Sequence, residues 1–173
     1  MLLQRCSTEA DVPAIASIYA HYVRTSVSTF EVDSPGNSEM HRRRKEVVDH
    51  GLPHLVAEES GVVLGYAYAA PYRGRKAYRF AVEDSIYVHP EHIRRGIGQL
   101  LLNAVLGDCE QKGYRQMIAV IGGADNFASI RLHEKCGFRQ AGVLHGVGFK
   151  FGRWIDTVLM QRALGSAVRE PHK

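Results

Sequence analysis

The sequence predicts a mixed α+β domain, a mostly antiparallel sheet with helices packed on its faces. Three observations predict it. Segments with apolar residues at helical spacing are interleaved with strand-like runs, in the order strand, two helices, strand meander, helix, strand, helix, strands, which is not a regular β/α alternation. The 173 residues suit one domain, assigned to residues 1–164, with a frayed tail at 165–173. A glycine-rich loop around Gly96 and Gly98 lacks the third glycine of a dinucleotide fingerprint, because Leu101 stands there, which argues against a Rossmann domain.

Leu2 and Leu3 open a short apolar stretch. Thr8-Glu9-Ala10-Asp11 offers a cap, and Val12, Ile15, Tyr19 and Tyr22 or Val23 follow at helical spacing. A Ser/Thr-rich link over 25–29 leads past Phe30 to the turn Ser34-Pro35-Gly36-Asn37, and a second helix carries Arg42, Arg43, Arg44 and Lys45 as a solvated face. Strand-like runs at 55–59 and 62–70 flank Ser60-Gly61, which is hairpin chemistry. After a basic loop at 71–76, residues 77–88 alternate imperfectly, and the Glu83-Asp84 interruption predicts a bulge or a site.

His89-Pro90 ends that strand, since proline donates no ladder hydrogen bond. Leu101, Leu102, Val105, Leu106 and Cys109 mark a strong helix ending near Gly113. Residues 117–121 read as a buried strand, Gly122-Gly123 as a turn, and 126–136 as a helix stopped by Gly137. Three glycine-separated strands, 138–144, 147–151 and 154–159, complete the chain.

Composition narrows the function classes. With 45% apolar and 23% charged residues the chain is globular rather than disordered, and its longest apolar stretches fall far short of the ~20 residues of a membrane helix. Residues 1–5 show no export signal, so a cytoplasmic location is expected. Cys6, Cys109 and Cys136 form no C-x-x-C pair and are expected to pack as core thiols. His89 with His92, and His50 with His54, have metal-like spacing, but proline interrupts both pairs and no carboxylate set is evident, so no metal is expected.

The chemistry concentrates in two segments. In the first, strand 85–88 leads to His89-Pro90-Glu91-His92-Ile93-Arg94-Arg95-Gly96-Ile97-Gly98-Gln99 and a helix. Gly96 and Gly98 let backbone N–H groups turn inward at a helix N-terminus, where the helix dipole favours an anion such as a pyrophosphate, and Arg94 and Arg95 add positive charge. The second segment is Asn126-Phe127-Ala128-Ser129-Ile130-Arg131-Leu132-His133-Glu134-Lys135-Cys136-Gly137-Phe138.

Together the two segments resemble the GCN5-related N-acetyltransferase (GNAT) family, whose motifs read [Q/R]-x-x-G-x-[G/A] and N-x-x-[A/S]-x-x-L-[Y/H]-x-x-x-G-F. Residues 83–88, 72–75 and 148–154 look like the phosphinothricin and methionine sulfoximine acetyltransferase subgroup. One departure is Ile93, where the family often has Gln or Arg. The resemblance implies a GNAT acyl-CoA N-acyltransferase fold and acetyl-CoA as donor. It implies direct transfer of acetyl to the α-amino group of a small amino acid such as phosphinothricin, methionine sulfoximine or methionine sulfone. Glu83 would be the general base, with Asp84 as the competing carboxylate, sent to the opposite strand face by alternation. His133 would protonate the departing thiolate or assist Glu83.

The resemblance further implies that Ile86, Val88, Arg94, Arg95, Gly96, Ile97, Gly98, Gln99, Asn126 and Ser129 hold the cofactor, with the Val88 N–H as oxyanion donor. Arg73 and Arg75 would hold an acceptor carboxylate or phosphinate, and Phe30 would wall the acceptor pocket, with core packing as its other reading. Trp154 is expected to pack near the C-terminal strands without a catalytic role, and a homodimer is implied. The rival readings are acetylation of protein or peptide N-termini, a non-catalytic acyl-CoA sensor, and a nucleic-acid binder using residues 42–45, which lack interleaved aromatics. Neither nucleic acid nor membrane is the expected partner.

Overall fold

The computed structural model describes residues 1–165; most of the expected frayed tail lies outside the described residues. The chain forms β1 (Leu2–Cys6), α1 (Val12–Thr25), α2 (Asn37–Asp49), β2 (His54–Glu59), β3 (Val62–Pro71), β4 (Ala81–Val88), α3 (Ile97–Gln111), β5 (Gln116–Gly122), α4 (Phe127–Lys135), β6 (Arg139–Lys150) and β7 (Arg153–Ala163). One seven-stranded sheet results, in the order β1-β2-β3-β4-β5-β7-β6. Every neighbouring pair is antiparallel except β4 with β5, as the sequence predicts for a mostly antiparallel sheet.

Helix α1 starts where expected. The Thr8 N–H and hydroxyl both donate to the Asp11 carboxylate, which also accepts two hydrogen bonds from the Arg5 guanidinium. The Arg5 hydrogen bonds hold the Asp11 carboxyl down at about 2. The α1 side chains Val12, Ile15, Ile18, Tyr19 and Val23 then bury against Met40 of α2 and Val56, Val63 and Tyr66 of the sheet. On the other side of the sheet Leu101, Leu102, Val105 and Cys109 of α3 are fully excluded from solvent, packed among Leu55, Ala57, Ala67, Val82 and Met117. Each fully buried Leu or Val contributes about 1.5–3 kcal/mol relative to exposure. Strand β3 reads as a nearly continuous apolar run because helices cover both of its faces.

The structure corrects several element expectations. Residues 76–78 form a 3-10 turn, so the strand begins at Ala81 rather than residue 77. Pairing of β3 with β4 runs in unbroken register past Glu83 and Asp84, so these acids mark no bulge; the register shift at Ala57/Glu58 belongs to the neighbouring β2–β3 hairpin. The strands expected at 138–144 and 147–151 are one strand, β6, whose register against β7 slips between Leu144 and Gly148. Cys109 and Cys136 are buried as expected, but Cys6 on the first strand is exposed. The run Arg42–Lys45 is the solvated helix face expected for most of its length: Arg42 pairs with Glu39 and Glu46, Arg43 with Glu31 and Glu39, and Lys45 with Asp49. Arg44 instead turns inward to the Ser7 carbonyl and hydroxyl.

Residues 26–30, between α1 and α2, lie across the end of β5 and β6. The seat is made of glycine: a Cβ at Gly122 would stand 2.0 Å from the Val27 carbonyl oxygen, and one at Gly148 would stand 2.4 Å from the Phe30 ring. Because backbone cannot yield as a flexible side chain does, Gly122→Ala is expected to destabilise the fold by about 1–3 kcal/mol through overpacking. Urea denaturation checks this, and an unchanged midpoint would contradict the seating.

Candidate active site

The site arises from a sheet that parts. Strands β4 and β5 pair only over Ala81–Glu83 with Gln116–Ile118, although β4 continues to Val88 and β5 to Gly122. Beyond Glu83 the ladder's groups on that side lose their strand partner. The His89 N–H donates to the Leu64 carbonyl, so ladder alternation turns the Tyr87 groups toward β3 and the N–H and C=O of Ile86 and Val88 toward the open side. The parting opens into a cavity of about 920 Å³ lined by Glu83 to Val88 of β4, Arg94 and Gly96–Gln99, Val120 to Gly122 of β5, and Asn126, Ser129 and His133 of the α4 segment. Exposed strand donors in such a slot can extend the sheet with an amide-bearing chain.

The loop entering α3 has the conformation its glycines anticipate. Gly96 sits at φ +78° and Arg94, unusually for a non-glycine, at φ +62°. Gly98 meets a different demand, since a Cβ there would approach Leu132 of α4 to 3.1 Å. Arg94, Gly96, Ile97, Gly98 and Gln99 line the cavity, while the Ile97 side chain is 2% exposed and serves the core. Arg95 does not line it. Its guanidinium donates to Glu59 at 2.7 Å and lies 3.1 Å from His92 Nδ1, so its charge is shared with β2.

Glu83 and Asp84 are adjacent, and strand alternation separates them. Glu83 is half-buried in the cavity wall, and its carboxyl is raised to about 6 by burial first and by the Asp84 charge second, against the opposing Arg73 cation. Asp84 faces the core. Its Oδ2 lies 3.0 Å from His133 Nε2, and its Oδ1 is buried without a partner. His133 Nδ1 lies 2.8 Å from the Ser129 carbonyl, which only accepts, so Nδ1 carries a proton. Both ring nitrogens are thus engaged within the protein. Burial pulls the His133 pKa down, but the Asp84 hydrogen bond and charge outweigh it and the net shift is upward.

In this geometry His133 Nδ1 is engaged by the Ser129 carbonyl and Nε2 by Asp84, so the carboxylate next to it is Asp84 rather than Glu83. Asn126 and Ser129 do line the cavity, with Asn126 capping α4 by accepting from the Ser129 N–H and reaching Ser28 Oγ at 3.3 Å. Phe30 lines the cavity too, 40% exposed. Arg73 and Arg75 stand on the exposed 71–76 loop outside the lining, Arg73 lying over the Tyr72 ring. Trp154 is 70% exposed and meets only the Phe149 ring edge among aromatic partners in the described residues, so it does not pack inward. Glu91 brings a carboxylate to His89 and His92, with ligand atoms all within 4.8 Å, which the sequence reading did not foresee.

Three residues to which sequence reasoning gave no role in the site help build it. Tyr22 of α1 donates its hydroxyl to the Val88 carbonyl at 2.5 Å, fixing the end of β4. Lys150 is 3% exposed, and its ammonium donates to the Ser26 and Thr29 carbonyls at 2.8 Å each, pinning the loop that carries Phe30; burial lowers its pKa. The third is Asp84. Alternation had placed it on the far face without indicating what it would meet there.

Residues 15–138 match the model of the acetyltransferase (GNAT) family. The chain belongs to the GNAT family. This GNAT chain is 54% identical over 162 residues, 94% of its length and 82% of the relative's, to a phosphinothricin N-acetyltransferase of Alcaligenes faecalis. It is 38% identical over 163 residues, 92% of its length and 93% of the relative's, to an L-methionine sulfoximine/L-methionine sulfone acetyltransferase of Salmonella typhimurium. The crystal structure of a GNAT superfamily phosphinothricin acetyltransferase from Sinorhizobium meliloti in complex with AcCoA superposes with a TM-score of 0.95 at 45% identity, covering 99% of this chain and 94% of that one. The fold expected from the sequence is therefore the fold observed.

The electrostatics of this GNAT site give a direct prediction. Side-chain carboxyl NMR should find Glu83 titrating near 6, and Arg73→Ala should move that midpoint upward by removing the opposing cation. A Glu83 midpoint near 4.5, unmoved by Arg73→Ala, would contradict the described environment.

Proposed function

We propose that this chain transfers acetyl directly from acetyl-CoA to the α-amino group of a small amino acid of the phosphinothricin, methionine sulfoximine or methionine sulfone type. The observation that carries the reading is Glu83, a half-buried carboxyl raised to about 6, in the wall of a cavity that also contains the open edge of β4. The pantetheine arm lies along Ile86 and Val88 and its pyrophosphate on the N–H groups of residues 96–99, with Arg94 adding charge. Asn126 and Ser129 bound the same slot.

Amino-acid ammonium groups lie above neutrality in pKa, so attack on the thioester requires removal of a proton, costing about 1.4 kcal/mol per pKa unit above the working pH. Glu83 accepts that proton. The neutral nitrogen forms the C–N bond, the Val88 N–H faces the developing oxyanion, and the C–S bond breaks. A thiol of pKa about 8.5 leaves near neutral pH with solvent as its proton source, so no donor residue is required. No metal takes part in this scheme.

Arg73, whose charge reaches Glu83, and Arg75 on the same exposed loop supply a positive field suited to an acceptor carboxylate or phosphinate and unsuited to polyamines. The chain acts in the cytoplasm on a small molecule, with neither nucleic acid nor membrane as partner. Internal ion pairing along residues 42–45 supports the first exclusion. Among the described residues no helix is long and apolar enough to cross a membrane. Two copies form a homodimer. Support comes from the edge strand β6, its turn and the start of β7, where Leu144, Val147, Phe149, Phe151 and Trp154 are each 46–70% exposed, an apolar display that an isolated sheet edge normally avoids.

Mass spectrometry of products from acetyl-CoA with phosphinothricin, methionine sulfoximine, methionine sulfone and an N-terminal peptide tests the substrate class. Acetylated amino acids support it; acetylation of the peptide alone overturns it. Glu83→Gln should cut kcat about 10²–10⁴-fold with acetyl-CoA affinity within twofold, and unchanged kcat would remove Glu83 as base. Light scattering should show a dimer that Trp154→Glu turns into a monomer; a monomeric parent protein would contradict the homodimer.

A further inference from the structure

We propose that Asp84 is a positioning residue for the acetyl-CoA slot, acting through His133 as a strut that holds the β4 wall and the α4 wall at a fixed separation. The inference rests on the acetyl-CoA reading above and adds a residue that reading does not use. Its starting point is where the sheet parts. The last paired residues of β4 and β5 are Glu83 and Ile118, and Asp84 is the next residue along β4. Where the backbone ladder stops, a side chain therefore takes over the link to the far wall.

That wall needs the link. Helix α4 has nine residues, and His133 is the one that is fully buried. Asn126 and Ser129, which bound the slot, stand at the start of the same helix. His133 ties both ends of the arrangement together: Nδ1–H donates to the Ser129 carbonyl one turn back, and Nε2 meets Asp84 at 3.0 Å. The ring also packs edge-on against Phe138, beyond the Gly137 that ends the helix segment. The two side chains are 2% and 5% exposed, so the pair lies where water does not compete and leaving one partner alone is costly.

With His133 protonated, Nε2–H donates to Asp84 Oδ2 while Nδ1–H stays on the Ser129 carbonyl. The groups within reach of the Asp84 charge are the Glu83 carboxyl on β4, the Cys109 thiol of α3 and the Cys136 thiol after α4, and the Arg162 guanidinium of β7 acts on Cys136 in turn. Burial raises both thiols, Cys109 to about 12, so neither carries charge near neutral pH. The His133 pKa is raised above its ordinary 6.5 in the folded chain. A base shifted upward contributes fully below 6.5 and loses its contribution as pH rises through the folded value. The strut is therefore strongest on the acid side of the His133 midpoint and weakens as pH rises through it, and acetyl-CoA affinity weakens with it.

Isothermal titration of the full chain with acetyl-CoA between pH 7 and 9.5 tests this, for the wild type and Asp84→Asn. The expected result is about tenfold weaker acetyl-CoA binding by Asp84→Asn at pH 7, an acceptor KM within twofold of wild type, and loss of the alkaline fall in affinity that the wild type shows. An Asp84→Asn variant with wild-type affinity and the same pH profile overturns the strut. Should that variant not fold, NMR of histidine-labelled wild type decides: affinity falling with the midpoint of His133 supports the proposal, and affinity indifferent to that midpoint overturns it. A wild type that binds no acetyl-CoA at any pH instead overturns the reading of the slot itself, which separates the two failures.

Discussion

The rest of this structure depends on a short parallel ladder. Strands β4 and β5 share three residue pairs and then part, leaving backbone donors of Ile86 and Val88 without a strand partner on that side. Unpaired backbone groups are tolerated only where water or a ligand satisfies them, so the parting is at once a cost to the fold and the origin of its site. What surrounds the parting keeps it from closing. Helix α3 enters the sheet's far face with a fully buried stripe, Tyr22 of α1 anchors the Val88 carbonyl, and α4 stands off on the β5 side.

The same strand shows how neighbouring residues of one chemical type acquire different behaviour. Glu83 and Asp84 differ by one methylene and one position. Alternation sends Glu83 to the cavity, where burial and its neighbour's charge raise it into the range of a useful base, and sends Asp84 to the core, where an imidazole takes it up. Moving the register by one residue would exchange these environments. The unbroken register of β3 against β4, from Gly65 with Val88 to Pro71 with Val82, is thus what assigns the two carboxyls to their separate environments.

Much of this was legible in the sequence, and the reasons are physical. The Thr8 to Asp11 cap, the Ser60-Gly61 turn and the stripe from Leu101 to Cys109 are local signals with local causes, and each element formed where they placed it. Gly96 takes the positive φ that a glycine in this loop allows, whereas Gly98 answers to the closeness of Leu132. What remained hidden depends on residues far apart in the chain. Nothing near Arg95 foretells Glu59, and nothing near His133 foretells Asp84, because those pairs exist only once the sheet is assembled. Lys150 did carry a sign that went unread. In Phe149-Lys150-Phe151 the cation points inward and the aromatics outward, the reverse of an ordinary surface strand, which marks both a buried polar anchor and an apolar outer face.

The central claim is that the parted strands form the slot for the thioester chain. Hydrogen exchange measured by mass spectrometry, with and without acetyl-CoA, tests it most directly. The account predicts strong new protection at the amides of residues 86–88 and 96–99, with slower exchange along α4, and little change in β1, β2 or α2. Protection confined to those distant elements, with residues 86–88 exchanging as in the free chain, would contradict it.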